Sequence, residues 1–222
     1  MISVAIDGPA GAGKSSVARK VAAKKGYIYV DTGALYRTVA YSVLKNGISF
    51  DDSAAVSAHL KDVTVDIAYL KGEQRVMLCG KDVSDVIRTP EISEGASKVS
   101  AIPAVRAFLL GLQRRLADEH DVVMDGRDIA TVVLPNATVK IFLTALPELR
   151  ARRRYDELVA KGADVKFEEI YSDLLKRDHR DSTREVAPLK PAEDSIIVDT
   201  SVLSFEQSVA EVCSVIDRVI EG

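Results

Sequence analysis

A glycine-rich segment near the start of the chain separates an apolar run from a helical pattern. Residues 8–15 read Gly-Pro-Ala-Gly-Ala-Gly-Lys-Ser, which fits G-x-x-x-x-G-K-S. The apolar run is residues 2–6, and the helical pattern, rich in Ala, Val and Lys, covers residues 15–25. This strand–loop–helix context is the one that the P-loop motif requires. Glycines let the backbone approach phosphate oxygens closely at the start of a helix, so the segment predicts a nucleoside triphosphate site.

The P-loop motif gives each of its polar residues a task. Lys14 is expected to reach the terminal phosphates, and the Ser15 hydroxyl is expected to ligate Mg²⁺. We predict that ATP contacts the loop and the residue after it: Gly8, Pro9, Ala10, Gly11, Ala12, Gly13, Lys14, Ser15 and Ser16. The alternative is a glycine-rich turn with a chance lysine, which the full spacing and both flanks disfavour.

Composition limits the class of protein. The chain has 222 residues, of which 47% are hydrophobic and 28% charged, as is ordinary for a globular protein. No apolar run approaches the roughly 18 residues of a membrane span, and the N-terminus lacks a signal-peptide pattern. A net charge of −3 argues against a nucleic-acid partner. Cys79 and Cys213 are expected to be buried free thiols in a reducing compartment, which suits the cytoplasm. We also predict a monomer that binds neither nucleic acid nor membrane.

Short apolar runs alternate with helical patterns along most of the chain. Five runs are typical of buried strands: Ile2–Ile6, Tyr27–Val30, Val122–Met124, Lys140–Leu143 and Ser195–Val198. Helical patterns cover Ser15–Lys25, Leu35–Leu44, Val105–Leu116, Glu148–Val159, Phe167–Asp178 and Phe205–Val219. This alternation predicts an α/β fold in which a parallel five-stranded P-loop sheet has helices on both faces.

One stretch interrupts this alternation. Val63–Ala68 and Arg75–Leu78 flank a Lys-Gly turn, which predicts an antiparallel hairpin, and Lys81–Ser84 is a possible third strand. We therefore predict one domain with a core of about residues 1–60 and 102–222, a small inserted β lobe at about 61–101 and a flap at about 148–165. Pro90 and Pro103 are interpreted as loop markers.

Charged residues directly follow two of the predicted strands. Asp31-Thr32-Gly33-Ala34-Leu35-Tyr36-Arg37 follows one, with Thr32 as a candidate helix N-cap, and Asp125-Gly126-Arg127-Asp128 follows another. Because the carboxyl ends of parallel strands line the ligand crevice, these charges are expected near the P-loop. Arg37 suits a second phosphate. Asp125 is either a solvated turn residue or a carboxylate that reaches Mg²⁺ through water.

Seven arginines are concentrated between residues 150 and 184. On a helix, Arg177, Arg180, Asp181 and Arg184 share one face. Three arginines there exceed the charge that Asp181 neutralises, which favours an external anion over a simple run of intrahelical ion pairs. The basic run 150–154 is either a solvated helix face or part of a mobile flap over the triphosphate.

Together these segments resemble the bacterial cytidylate kinases of the nucleoside monophosphate kinase group. The resemblance rests on residues 8–15, on residues 31–37, on Asp125-Gly126-Arg127-Asp128-Ile129-Ala130-Thr131-Val132-Val133, and on Arg177–Leu189. It runs essentially end to end and includes the inserted lobe. Ala130 stands where a glycine is common in the family, a small departure.

The resemblance implies a role for individual residues. Arg37, Arg127 and Arg184 would hold the monophosphate, Arg177 and Asp181 would contact the ribose, and Arg153 would belong to the flap over ATP. Ser97, Arg106 and Asp128 would read the cytosine. The predicted acceptor site is completed by Asp31, Thr32 and Tyr36, and the predicted catalytic residues are Lys14, Arg127 and Arg184.

The expected reaction is Mg²⁺-dependent transfer of the ATP γ-phosphoryl group to CMP or dCMP. A carboxylate at Asp128 can accept a hydrogen bond from the cytosine amino group but would face an acceptor oxygen on uracil, which predicts a preference for CMP. The alternative is a related small-molecule kinase that acts on UMP or AMP. A regulatory GTPase is disfavoured because the chain has no Asn-Lys-x-Asp motif.

Overall fold

Five of the apolar runs form one parallel sheet in the computed structural model, which describes residues 1–222. The strands of the chain are β1 (Ser3–Asp7), β2 (Ile28–Asp31), β3 (Val65–Leu70), β4 (Glu73–Leu78), β5 (Lys81–Asp82), β6 (Val122–Asp125), β7 (Val139–Thr144) and β8 (Ile196–Asp199). The sheet order is β2-β6-β1-β7-β8, so β2 is an edge strand. All five strands predicted for this sheet are confirmed.

Helices flank the sheet, as the α/β prediction requires. They are α1 (Lys14–Lys25), α2 (Thr32–Lys45), α3 (Ser53–His59), α4 (Pro90–Val99), α5 (Pro103–Glu119), α6 (Pro147–Ala160), α7 (Phe167–Thr183) and α8 (Phe205–Glu221). A 3₁₀ turn covers Leu60–Asp62 and a π turn covers Ile129–Val133. Each predicted helix is present, and most extend one to several residues beyond the predicted bounds.

The register of the sheet brings the functional strand ends to one edge. In the parallel pairs, Ile6 of β1 lies opposite Asp125 of β6, and Asp7 of β1 lies opposite Phe142 of β7. The carboxyl ends of β1, β6 and β7 therefore meet where the P-loop begins.

Apolar side chains of β1, α1 and α8 belong to one buried cluster that packs against this sheet. The valine spacing of α1 and the Val/Ile spacing of α8 place one face of each helix inwards. Representative members are Val4, Ile6, Val17, Val21, Val212 and Ile216, all at most 2% exposed. This packing fixes α1 behind the loop that precedes it.

The chain divides into two compact units, which we describe separately. The core unit is residues 1–29 with 120–222, and the inserted unit is residues 30–119. The predicted bounds of the smaller β lobe and of the flap stay predictions. No single helix is both long and apolar enough to cross a membrane, although α4 and α5, bent by 98° at their junction, reach that length and composition together.

The inserted unit contains the antiparallel sheet β3-β4-β5. Leu70 pairs with Glu73 around Lys71 and Gly72, whose positive φ values of 52° and 80° suit a two-residue hairpin turn. The predicted hairpin is confirmed, and the third strand is shorter than Lys81–Ser84.

Two expectations about this unit were wrong. Pro90 and Pro103 do not mark loops but are the first residues of helices α4 and α5, where a missing N–H costs nothing. Thr89 caps α4 by accepting a hydrogen bond from the Ile92 N–H. Cys79 and Cys213 are free as expected, but neither is fully buried. Cys79 is exposed because it lies at the turn after β4, and Cys213 of the core unit is half-buried.

Candidate functional site

The P-loop adopts a backbone path that requires glycine at its first position. Gly8 has φ of 146°, and a Cβ there would lie 2.0 Å from the Leu143 carbonyl oxygen of β7. Gly13 has φ of 85° and immediately precedes α1, which begins at Lys14. The predicted strand–loop–helix arrangement is therefore present, with the loop at the positive end of the helix.

Lys14 is buried at the start of α1. Its side chain is 5% exposed, and its Nζ donates a hydrogen bond to the Pro9 carbonyl oxygen at 2.7 Å. Burial, together with the nearby positive charge of Arg127, lowers the pKa of Lys14 well below its ordinary value. An added anion would oppose both effects, so this position is suited to a polyphosphate.

Ser15 and Asp125 meet at the junction of the P-loop and β6. The Ser15 hydroxyl donates to Asp125 Oδ2 at 2.8 Å, and the Tyr29 hydroxyl donates to Asp125 Oδ1 at 2.8 Å. A hydroxyl and a carboxylate are the hard oxygen ligands that Mg²⁺ prefers, so these two residues fit that ion. No cluster of three or more His, Cys, Asp or Glu side chains suits a metal ion.

Asp7 is a buried carboxylate that the sequence analysis did not single out. It is 1% exposed and accepts hydrogen bonds from the backbone N–H groups of Ile129 and Ala130, both at 2.8 Å. Burial raises the pKa of Asp7 to about 7, although the two N–H donors oppose that shift. Asp7 thus ties the strand before the P-loop to the segment that follows Asp128.

Two predicted acceptor arginines of the core unit are paired with carboxylates. Arg127 Nε donates to Asp181 Oδ2 at 3.0 Å, and Arg184 Nη2 donates to Asp128 Oδ1 at 3.4 Å. Asp128 and Asp181 are 4% and 3% exposed. Although burial opposes it, the charges of Arg127, Arg177 and Arg184 lower the pKa of Asp181.

Four residues were predicted to share one face of a helix, and three of them lie in a helix. Arg177, Arg180 and Asp181 lie in α7, and Arg177 Nε is 4.0 Å from Asp181 Oδ2. Arg184 lies just beyond the helix end, with φ and ψ of −59° and 141°, and its Nε donates to the Ala187 carbonyl oxygen at 2.7 Å. The turn towards Pro188 therefore orients Arg184, rather than helical spacing.

In the inserted unit, Asp31 rather than Thr32 caps helix α2. Asp31 Oδ1 accepts from the Ala34 N–H at 2.9 Å, and Thr32 is the first helical residue. Asp31 Oδ2 accepts from Arg37 Nη2 at 2.8 Å and lies 3.6 Å from Arg88 Nη2. The cap and the ion pair use different oxygens of one carboxylate, so Asp31 orients Arg37 relative to the helix start.

Three further predicted acceptor residues of the inserted unit are buried near one another. The Arg106 guanidinium lies 5.8 Å from the centre of the Tyr36 ring, and its Nη1 donates to the Ser100 carbonyl oxygen at 3.2 Å. Ser100 in turn donates from Oγ to the Ser97 carbonyl oxygen at 2.8 Å. Tyr36, Ser97 and Arg106 are each less than 10% exposed.

The basic run at the start of α6 separates into residues with different environments. Arg150 is 3% exposed, so the solvated face does not describe it, and the flap stays a prediction. Its Nε donates to the Ala145 carbonyl, its Nη1 donates to the Ala10 carbonyl of the P-loop, each at 2.8 Å, and its Nη2 is 2.7 Å from Asp178 Oδ2. Arg153, the predicted flap residue, donates from Nη2 to the Thr200 carbonyl at 2.6 Å.

The model of the cytidylate kinase family matches residues 4–218 of this sequence. The chain belongs to the cytidylate kinase family. The cytidylate kinase of Carboxydothermus hydrogenoformans is 50% identical over 97% of this chain and 97% of its own length. That of Ligilactobacillus salivarius is 48% identical over 98% of this chain and 97% of its own length.

Comparison with solved structures agrees on the fold of this cytidylate kinase family member. A gluconokinase from Sinorhizobium meliloti 1021 aligns with a TM-score of 0.51 and covers 99% of this chain and 94% of its own. At 16% identity this likeness concerns the fold alone. The predicted fold class, the family resemblance and the assignment as a nucleoside monophosphate kinase are confirmed.

Proposed function

We propose that this protein transfers the γ-phosphoryl group of ATP to CMP or dCMP and releases ADP with CDP or dCDP. The observation that carries this proposal is the segment at the end of β6. Asp125 accepts the hydrogen bond of Ser15 from the P-loop, and Arg127 and Asp128, two and three residues later, pair with Asp181 and Arg184. One short segment therefore serves the predicted donor residues and the predicted acceptor residues.

On the donor side, the P-loop N–H groups and Lys14 would hold the ATP phosphates. Lys14 is already held at the start of α1, so it need not be reorganised when ATP binds. Ser15, with Asp125 through water, would hold Mg²⁺, which supplies charge neutralisation at the phosphate oxygens. Arg153 would contact ATP as α6 closes over it, and such closure would exclude water and suppress ATP hydrolysis.

On the acceptor side, we assign the monophosphate to Arg37, Arg127 and Arg184. Each of these arginines pairs with an aspartate. A phosphate dianion offers more charge and more acceptor oxygens than one carboxylate, so it can compete for these guanidinium groups. We assign the ribose to Arg177 and Asp181, and the remaining acceptor contacts to Asp31, Thr32 and Tyr36.

We assign recognition of cytosine to Asp128, Ser97 and Arg106. The Asp128 carboxylate is buried, so an acceptor oxygen of uracil placed against it would bring two acceptor oxygens together in a water-poor site. The exocyclic amino group of cytosine would instead donate to Asp128. This difference supports CMP over UMP as the preferred acceptor.

The chemistry needs no covalent intermediate and no general base. The attacking oxygen belongs to a phosphate that is already ionised, so the residues have to align the two nucleotides and neutralise charge. Lys14, Arg127 and Arg184 are the cationic residues that we assign to the transferring phosphoryl group, where fixed positive charge stabilises the transition state.

A coupled assay of ADP release tests the acceptor assignment. At saturating ATP with Mg²⁺, CMP, dCMP, UMP, AMP and dTMP are compared by kcat/KM. CMP or dCMP is expected to rank first, whereas a higher value for UMP or AMP would contradict the assignment. Asp128→Ala is expected to reduce the preference for CMP over UMP by about tenfold or more, and Asp173→Ala, which removes an exposed carboxylate of α7, should not change it.

We also propose that the protein acts as a cytoplasmic monomer on free nucleotides, without a nucleic-acid or membrane partner. Two free cysteines suit a reducing compartment, and a net charge of −3 disfavours polyanion binding. Light scattering of the purified protein tests the monomer: a mass near twice that of one chain would contradict it.

A further inference from the structure

The side chain of Gln74 in β4 links the inserted antiparallel sheet to the backbone at the start of helix α2. The Asp31 N–H donates to Gln74 Oε1 at 2.7 Å, and Gln74 Nε2 donates to the Asp31 carbonyl oxygen at 3.3 Å. One amide group thus satisfies both backbone polar groups of a residue 43 positions away.

The position of Asp31 explains why this contact is needed. Asp31 is the last residue of β2, which is the edge strand of the parallel sheet. The N–H and C=O groups of one strand residue point to the same side, so at an edge they lack a neighbouring strand to pair with. The Gln74 amide replaces that strand at a single residue.

The same residue carries the side-chain contacts that orient Arg37. One Asp31 carboxylate oxygen caps α2 at the Ala34 N–H, and the other pairs with Arg37 at 2.8 Å and lies 3.6 Å from Arg88. Asp31 and Arg37 have side chains only 6% and 19% exposed, so the pair has little freedom apart from that of the backbone that carries it. A shift of the Asp31 backbone would therefore move the Arg37 guanidinium.

We propose that Gln74 is a positioning residue that sets the Arg37 guanidinium for the acceptor phosphate by fixing the Asp31 backbone. The inserted sheet then has a second task besides any direct contact with the nucleotide. This inference rests on the proposed assignment of Arg37 to the monophosphate of CMP.

The neighbouring residue Arg75 provides a matched control on the same strand. Arg75 pairs with Asp82 at 2.6 Å and with Asp85 at 2.7 Å, so it holds the antiparallel sheet together by other contacts. Replacing Arg75 weakens the sheet while leaving the amide contact to Asp31 in place. Replacing Gln74 with methionine keeps the side-chain length and removes both hydrogen bonds.

The test measures KM for CMP, KM for ATP, kcat and melting temperature for Gln74→Met, Gln74→Glu, Arg75→Ala and Arg37→Ala. Gln74→Met should raise KM for CMP about tenfold through the loss of two hydrogen bonds, with KM for ATP and kcat within about threefold of wild type. Gln74→Glu keeps the acceptor for the Asp31 N–H but loses the donor, and its KM for CMP should be at least as high, because a carboxylate oxygen then faces the Asp31 carbonyl oxygen. Arg75→Ala should lower the melting temperature and leave KM for CMP unchanged.

The outcomes separate this inference from the function on which it rests. If Arg37→Ala raises KM for CMP but Gln74→Met does not, the role of Gln74 is wrong and the assignment of Arg37 stands. If Arg75→Ala raises KM for CMP as much as Gln74→Met does, Gln74 acts only through the stability of the sheet, which also overturns the inference. If Arg37→Ala leaves KM for CMP unchanged, the assignment of Arg37 fails and the inference fails with it.

Discussion

The P-loop and the predicted acceptor arginines are held in place by different kinds of contact. The conformation of the loop depends on its backbone. At Gly8 there is no room for a side chain beside the Leu143 carbonyl. Lys14 donates to the backbone carbonyl of Pro9, and Arg150 donates to that of Ala10. The arginines depend on side chains, because each pairs with an aspartate.

This difference has kinetic consequences. The loop is already shaped for phosphate, so its residues should act mainly on ATP binding and on the transfer step. The arginines are proposed to exchange a carboxylate for the acceptor phosphate, so their replacement should raise KM for CMP and, for Arg127 and Arg184, also lower kcat, while KM for ATP changes little. Substitutions in the two groups test this separation, and they are given from the largest expected effect on catalysis to the smallest.

Lys14→Ala should have the largest effect. The variant loses the only side-chain cation that belongs to the P-loop itself, and kcat is expected to fall by about 10³-fold because transition-state charge is no longer neutralised. Steady-state kinetics with CMP measure this loss. Lys24→Ala, an exposed position at the other end of α1, is the control, and a fall of less than tenfold for Lys14→Ala would contradict the role.

Arg127→Ala should raise KM for CMP by about 100-fold, the cost of a charge-assisted contact, and should change KM for ATP by less than about threefold. It should also lower kcat, because Arg127 is assigned to the transferring phosphoryl group as well. Because Asp181 is buried and loses its closer ion pair, the one with Arg127, the melting temperature should also fall. Arg127→Ala combined with Asp181→Asn should recover the melting temperature, whereas KM for CMP should stay at least as high, because Asp181 is itself assigned to the ribose. Recovery of both would show that Arg127 acts only on stability.

Arg150→Lys tests the opposite side of the comparison. A lysine ammonium cannot reach Ala145, Ala10 and Asp178 together as the guanidinium does, so the P-loop loses support. KM for ATP is expected to rise about tenfold while KM for CMP stays unchanged. Lys176→Ala, which removes an exposed cation of α7, is the control. An equal rise of both KM values would mean that Arg150 does not act on the donor loop selectively.

Asp7→Asn should have the smallest effect on catalysis and a distinct effect on stability. With a pKa of about 7 in the folded state and an ordinary value when unfolded, Asp7 binds its proton more tightly in the folded protein. Wild-type stability should therefore decrease as pH rises from about 4 to about 7, by up to about 4 kcal/mol, and stay constant above that range.

The asparagine side chain of the Asp7→Asn variant does not titrate, so the variant lacks this decrease. Urea unfolding of both proteins between pH 4 and pH 8 measures the difference in the free energy of unfolding. If the free energy of unfolding of the wild-type protein, relative to that of the variant, does not decrease between pH 4 and pH 8, then Asp7 is ionised throughout this range.

Most of the fold could be predicted from the pattern of apolar runs. The strands were recognisable because each is a short apolar run bounded by charged or turn residues. Helices α3 and α4 were missed for physical reasons. Helix α3 buries only Val56, so it has no apolar stripe. Helix α4 begins with Pro90, and proline is a residue type that is also common in loops.

The site could be predicted only where a local motif carries it. Residues 8–15 and the charges after β6 follow from strand-end position, and Ser15 and Asp125 do meet. The side chains of Asp7, Gln74 and Arg150 form hydrogen bonds with backbone groups 122, 43 and 140 residues away. No local sequence pattern predicts contacts of this kind. A buried carboxylate or amide that holds a distant backbone is visible only once the chain is folded.

The central claim is that the arginines which pair with aspartates bind the monophosphate of CMP. Calorimetric titration of the wild-type protein with CMP and with cytidine, without ATP, tests it most directly because the two ligands differ only in the phosphate. CMP should bind at least about 100-fold more tightly than cytidine, since each charge-assisted contact contributes more than a neutral one. Equal affinities for CMP and cytidine would contradict the claim.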